Sequence, residues 1–233
     1  MQARHIFTAG AVMFFLFSPA AAFADEKISE AEILLFETNH LKTITKPEKL
    51  HYIFIRSGTL EPNFHDNVEI SIDKVMPDGG KTVTTEFLSG SNKVNYPPME
   101  DVTGNPVLLW FLERDIHEMQ RITGGKSPFF RRRIRLALAD HAEVHPVKIA
   151  YNGKEMDAKE IKISPYVNDE VMKERAATHI GKYYLFVLSE GIPGEIYQLR
   201  SVDPDSRVDK SGKVSPLIEE TLTFSPDENR AAQ

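Results

Sequence analysis

Alternating arginines between Phe129 and Ala139 are the side chains of this sequence best suited to binding a ligand. On a β-strand, Arg131, Arg133 and Arg135 share one face. Guanidinium groups in such a row bind phosphate or carboxylate by bidentate hydrogen bonds, including those of lipid head groups. Arg132 would then lie on the apolar face, where it needs a carboxylate, backbone carbonyls or the rim of a cavity.

Two other interpretations of the arginine segment stay open. The charges could protect an edge strand, with one structural ion pair at Arg132. Alternatively, Ser127 and Pro128 could begin a short helix, because proline suits the first turn of a helix. The side on which each arginine lies depends on this choice between strand and helix.

A second group of polar residues is His141, Glu143 and His145, which share a face if the chain is extended. Imidazole and carboxylate groups are ligands for zinc or copper. The sequence offers no fourth ligand at a recognisable spacing, and Asp140 and Pro146 are typical of a polar turn. We therefore favour the turn and predict no metal.

Glu113 and His117 are four residues apart on a predicted helix, where they could form an acid–base pair. Side chains on the solvated face of an amphipathic helix have the same spacing, and we favour that interpretation. The sequence has no nucleophile-elbow pattern, no HExxH motif, no phosphate-binding glycine loop and no cysteine. We expect a protein without catalytic residues or a cofactor.

The clearest helix runs from Pro106 to about Thr123. Asn105 is a suitable N-cap, proline suits the first helical position, and Gly124 with Gly125 ends the helix. One stripe at helical spacing is apolar and comprises Leu108, Leu112, Ile116, Met119 and Ile122. Trp110 and Phe111 add to it, so the first two turns are apolar nearly all round and should cover something apolar.

The rest of the chain is predicted to be mainly strands. A capping box at Ser29 and Glu32 favours a first helix from about Ser29 to Ile44. Nine segments have strand character, namely 50–57, 68–73, 81–88, 129–139, 147–151, 160–166, 183–189, 195–202 and 217–224. Short turns such as Asn152-Gly153 favour antiparallel pairing. We predict an α+β fold with a large curved, half-barrel-like antiparallel sheet and the long helix on its concave face.

The first 24 residues have the pattern of a secretory signal peptide. Arg4 and His5 precede an apolar run from Ile6 to Phe17, and Ala22-Phe23-Ala24 provides the small residues read by signal peptidase. We expect cleavage near Ala24/Asp25 and a periplasmic protein. Residues 25–224 are predicted to form a single domain, followed by a flexible tail at 225–233.

Composition excludes several classes of protein. The formal net charge is −6 at pH 7, which disfavours nucleic-acid binding. After the signal peptide no apolar run approaches the roughly 20 residues of a membrane span, so the mature chain should not cross a membrane. Because the chain contains no cysteine, it forms no disulfide and cannot be a diacylated lipoprotein.

Several segments resemble a family of exported bacterial proteins for which we know no activity. They are Asn105-Pro106-Val107, 111–115, Glu118-Met119, Thr123-Gly124-Gly125, 131–139, 163–166, 193–197 and 217–220. The order of elements is also similar to periplasmic lipoprotein carriers of the LolA/LolB kind, in which helices close the mouth of a half-barrel over an apolar cavity. This second resemblance is architectural and implies only a fold.

These observations favour a non-enzymatic periplasmic protein that binds a lipid, an acyl group or another amphipathic ligand. The predicted ligand-binding residues are Leu108, Trp110, Phe111, Phe130, Arg131, Arg132, Arg133 and Arg135. The alternative is a module that binds another envelope protein through a sheet edge or the 203–216 loop. A metal-dependent hydrolase using His141, Glu143 and His145 is the least favoured.

Overall fold

One large antiparallel sheet with helices packed against it makes up the described part of the chain, residues 28–205 and 215–226 of a computed structural model. The predicted signal peptide, most of the 203–215 loop and the tail from residue 227 lie outside these residues. The α-helices are α1 (Glu30–Glu32), α2 (Val107–Thr123), α3 (Ser127–Asp140) and α4 (Glu170–Arg175). A π-helical turn follows α1 at Ile33–Glu37, and 3-10 turns lie at Gly90–Asn92 and Ala177–His179.

The strands are β1 (Glu48–Ser57), β2 (Phe64–Val75), β3 (Lys81–Phe87), β4 (Val94–Asn95), β5 (Met99–Val102), β6 (Glu143–Tyr151), β7 (Lys154–Ile163), β8 (Tyr183–Leu188), β9 (Ile196–Asp203) and β10 (Ile218–Phe224). Their order is β4-β3-β2-β1-β10-β9-β8-β7-β6, with β5 paired to β3. The sheet is open, and β10 joins its two halves by pairing with β1 and β9. The α+β prediction with a large antiparallel sheet is confirmed.

Strand alternation gives the sheet one buried face. In β2, Val68, Ile70 and Ile72 are buried while the intervening residues are more exposed, as predicted for a strand with one wet face. The same alternation buries Leu222 and Phe224 in β10. The predicted turn at Asn152-Gly153 is also confirmed, since both residues have positive φ between β6 and β7.

Helix α2 lies across the buried face of the sheet. Its Trp110 donates to Thr85 of β3 at 3.1 Å, and its Arg114 contacts Glu220 of β10. The helix begins at Val107, one residue later than predicted, with Pro106 as the N-cap, and it ends at Gly124 with φ +69°. The left-handed conformation at this last position explains why glycine occupies it.

The strand interpretation of residues 129–139 is wrong, because this segment is helix α3. Phe130, Ile134 and Leu138 are buried at intervals of four residues, which is a helical period. Pro128 lies in the first turn, as the helical alternative required. The arginines therefore point in different directions around a helix and do not share one strand face.

The first helix is shorter than predicted. The capping box of Ser29 and Glu32 is present, but α1 passes into the π-turn and ends before Thr38. The Thr38 hydroxyl donates to the Ile33 carbonyl at 2.9 Å, and the His40 Nε2 atom lies 2.8 Å from the Leu34 carbonyl oxygen. These side chains satisfy the carbonyls of the last turn and so stop the helix before Ile44.

Candidate ligand-binding site

An open apolar groove lies between the π-turn, α2 and α3, with a volume of about 310 Å³. Its apolar lining comprises Phe36, Leu109, Leu112, Ile116, Ile134 and Leu138, and its polar lining comprises Glu32, Glu113, Arg131 and Arg135. Sites for small molecules typically range from roughly 300 to 1,000 Å³. The groove is therefore large enough for a narrow ligand.

Helical spacing explains why these side chains meet. The apolar residues from α2 recur at intervals of three and four. Leu112 and Ile116 belong to the predicted apolar stripe, and Leu109 widens that stripe toward α3. The residues from α3 recur in the same way and face that stripe. The α1 end is held against α3 by the Ser29 hydroxyl, which donates to the Leu138 carbonyl at 2.9 Å.

The groove has a buried floor and exposed walls. Leu112, Ile134 and Leu138 are each less than a tenth exposed, whereas Phe36 is 42% and Leu109 is 41% exposed. A ligand that covered the remaining surface of these two walls would gain about 1 kcal/mol from each. The sequence had indicated a second apolar side at the start of α2 but not the elements that flank it.

Two arginines lie at the rim of the groove, one paired with a carboxylate and the other without an ion pair. Arg131 forms two hydrogen bonds to the Glu113 carboxylate, at 2.7 and 2.5 Å. These hydrogen bonds lower the pKa of Glu113 and raise the pKa of Arg131. The Arg135 side chain is exposed and makes no hydrogen bond or ion pair with any other residue in the described part of the chain. Of the two arginines in the groove, it is the one without a carboxylate partner.

The other two predicted arginines lie elsewhere on α3. Arg133 pairs with Asp169 at 2.5 Å, and its guanidinium lies over the Phe129 ring. Arg132 is exposed to solvent, so the prediction that it lies on an apolar face is wrong. The cluster expected from a strand is therefore divided, and only Arg131 and Arg135 reach the groove.

The predicted apolar ligand residues contribute mainly to the core. Leu108, Phe111 and Phe130 are each 1% exposed in the main hydrophobic cluster. Trp110 is half-buried and stacks on Tyr96, with 4.0 Å between the ring centroids. None of these four residues lines the groove.

A second, polar groove of about 450 Å³ lies on the other side of α3. Arg133, Asp140, His141 and Glu143 belong to its lining. His145 is not part of it and lies 3.6 Å from Glu143, on the exposed strand β6. Within the described residues no set of three or more histidine or carboxylate side chains is arranged to hold a metal ion.

No hydrogen bond joins Glu113 to His117, the two residues considered as a possible acid–base pair. Glu113 is occupied by Arg131, whereas His117, four residues later, lies exposed on α2. This arrangement matches the solvated helix face that the sequence analysis favoured.

A buried ion pair that no sequence pattern indicates lies beneath α2. Lys182 donates to Asp115 at 2.8 Å, and each side chain is 1% exposed. Tyr184 donates its hydroxyl to the same carboxylate at 2.6 Å and is fully buried. Burial opposes the charge of Lys182, but Asp115 and other buried carboxylates outweigh it and raise its pKa.

A second set of charged side chains joins α2 to strands β10 and β1. Arg114 donates to both oxygens of Glu220, at 2.5 and 2.6 Å, and Arg56 is hydrogen-bonded to Glu118. Burial raises the pKa of Glu220, although Arg114 opposes this effect. Because Glu220 and Glu118 accept these hydrogen bonds inside the protein, they hold α2 on the sheet and are not open to a ligand.

No family model matches the sequence, and no curated protein matches it, so the resemblance to an exported family stays a prediction. Among solved structures, the chain is similar to LprF from Mycobacterium bovis, with 11% identity and a TM-score of 0.31, over 84% of this chain and 92% of that one. It is also similar to the LolA superfamily protein NE2245 from Nitrosomonas europaea, with 8% identity and a TM-score of 0.21, over 84% and 91%. At TM-scores this low, the likeness contributes nothing to the assignment of a function.

No helix in the described part of the chain combines the length and the hydropathy needed to cross a bilayer.

Proposed function

We propose that this protein is an exported, non-enzymatic binding protein for an amphipathic ligand with one acyl chain and an anionic head group. The acyl chain of the ligand lies in the groove between the π-turn, α2 and α3. The head group contacts Arg135 at the rim. The predicted signal peptide supports export to the periplasm.

The observation that carries this proposal is the position of an unpaired arginine beside exposed apolar walls. Phe36 and Leu109 provide apolar surface that a chain can cover. Arg135 can donate charge-assisted hydrogen bonds to a carboxylate or phosphate at one end of that surface. A ligand that is apolar along most of its length and anionic at one end matches both features.

The polar groups around the groove support binding without catalysis. Glu113 is held by Arg131, and Glu32 accepts a hydrogen bond from the Ser29 backbone within the capping box. Neither carboxylate is left free to move a proton to or from a ligand.

The proposal is tested by titrating the mature protein with a fluorescent single-chain fatty acid and with the alcohol of the same length. Arg135→Gln should weaken binding of the acid by about fivefold to tenfold and leave binding of the alcohol unchanged. Arg175→Gln, which removes an exposed arginine on α4, is the matched control and should change neither. Absence of saturable binding to the unsubstituted protein would rule the proposal out.

The second candidate function is a module that docks another envelope protein on the sheet edge. Strand β6 lies at one end of the strand order and pairs only with β7 among the described strands. However, Pro146 removes a backbone donor from this edge, and Lys148 adds an exposed charge, both of which are typical of edges protected against pairing. The groove is therefore the better supported site.

A further inference from the structure

We infer that the face carrying the groove docks on an anionic lipid bilayer, with the arginines of α3 against the head groups. This inference rests on the proposed function in one respect, because it uses the same groove walls. It adds a partner, the membrane surface, and a second role for the exposed side of α3.

The first support is a cluster of cations on one side of α3. Arg131, Arg132 and Arg135 are all exposed, and Arg135 lies four residues after Arg131 and three after Arg132, which makes it a neighbour of both on the helix surface. Arg131 is neutralised by Glu113. Arg132 and Arg135 have no ion pair with another described residue, so two positive charges remain uncompensated.

The second support is the exposed apolar surface beside these cations. Nine large apolar side chains are exposed in the described part of the chain. Three of them lie in residues 28–36 and one lies at the start of α2. They are Ile28, Ile33, Phe36 and Leu109. Phe36 and Leu109 line the groove together with Arg131 and Arg135, and apolar side chains next to arginines are typical of surfaces at the boundary between head groups and acyl chains.

Charge favours a bilayer that is anionic and fixes the orientation of the protein on it. The whole chain has a net charge of −6, so an anionic surface repels most of the molecule. Helix α3 is an exception, because it carries three exposed arginines and one acidic residue, Asp140. Docking through it places the mouth of the groove against the acyl chains. A ligand with poor solubility in water could then enter or leave without crossing bulk solvent.

The test is flotation of the mature protein with vesicles of phosphatidylcholine, prepared with or without phosphatidylglycerol. We expect binding to the phosphatidylglycerol vesicles, at least tenfold weaker binding to phosphatidylcholine alone, and a strong decrease when salt is raised. The double variant R132Q/R135Q should bind phosphatidylglycerol vesicles about tenfold more weakly. The control K154Q/R175Q removes the same charge from exposed positions on β7 and α4 and should stay within about twofold of the unsubstituted protein.

The single variant Arg132→Gln separates this inference from the proposed function. Arg132 does not line the groove. Its loss should weaken vesicle binding about threefold and leave the affinity for the fluorescent fatty acid unchanged. Fatty-acid binding without flotation would overturn the bilayer inference alone, and would point to a soluble protein as the partner. Flotation without fatty-acid binding would overturn the proposed function alone.

Discussion

Lys182 and Asp115 form an ion pair of 2.8 Å that joins the residue before β8 to the middle of α2, with each side chain only 1% exposed. The Tyr184 hydroxyl donates to the same carboxylate. Taking both charges out of water costs much of what their attraction returns, so the pair adds little net stability. It does make the position of α2 on the sheet sensitive to the loss of either partner.

The first prediction concerns this pair. Lys182→Met leaves the Asp115 carboxylate buried without its cation and should lower the free energy of unfolding by about 3–5 kcal/mol. Adding Asp115→Asn removes the uncompensated charge and keeps an acceptor for Tyr184. The double variant should therefore be more stable than Lys182→Met, as measured by urea denaturation.

The control for this prediction is an ion pair on the surface. Lys148 lies 2.7 Å from Asp157, and both side chains are more than half exposed. Lys148→Met should change the free energy of unfolding by about 1 kcal/mol or less. Equal effects of Lys182→Met and Lys148→Met would show that the buried pair does not hold α2 in place.

The second prediction concerns acid stability. Partial burial opposes the charge of Glu118, but Arg121 and Arg56 outweigh it and lower the pKa of this carboxyl to about 2. A pKa below the unfolded value gives stability above pH about 4.5 that is lost as pH falls toward about 2, at most roughly 3 kcal/mol. Glu118→Gln should lower the free energy of unfolding at pH about 7 and lower it by about half as much or less at pH about 3.

Glu220 also changes the stability of the protein with pH. The prediction therefore compares Glu118→Gln with the unsubstituted protein and does not use absolute stabilities. Burial raises its pKa, so its protonation in acid favours the folded state and opposes the effect of Glu118. The contribution of Glu220 is common to both proteins and cancels in the difference. Urea denaturation across this pH range should show a shallower loss for Glu118→Gln, and parallel curves would contradict the prediction.

The third prediction concerns Asn105, which anchors the start of α2. Its side-chain amide donates to the Tyr52 hydroxyl at 2.8 Å and to the Gly194 carbonyl at 2.9 Å. Its carbonyl oxygen accepts from the Val107 backbone at 3.2 Å. Asn105→Ala leaves these buried groups without partners and should cost about 2–3 kcal/mol in thermal or urea unfolding, whereas exposed Asn95→Ala should cost almost nothing.

Much of the fold could be predicted because one face of the sheet is buried. Strands such as β2 and β10 show this burial as alternation along the sequence. The strand prediction fails at α3 because Arg131, Arg133 and Arg135 alternate as in a strand, while Phe130, Ile134 and Leu138 fit the helical period of four equally well. Pro128 was the local signal that favoured the correct choice.

The groove could be predicted only in part, because its walls come from separate segments of the chain. Sequence showed that α2 begins with apolar residues on nearly all sides, and Leu109 belongs to that extra apolar side. Nothing local linked Leu109 to Phe36 on the π-turn or to Arg135 on α3. Asp115 lies on the buried side of α2, but its partner Lys182 is distant in sequence and gave no signal.

The last prediction tests whether acyl ligands bind in this groove. Leu109 is 41% exposed in its wall, so Leu109→Trp should fill part of the groove without disturbing the core. Affinity for the fluorescent fatty acid should fall at least tenfold, while the free energy of unfolding changes by about 1 kcal/mol or less. Ile53→Trp is the matched control, since Ile53 is 40% exposed on β1 and does not line the groove. Undiminished binding by Leu109→Trp would place the ligand elsewhere on the protein.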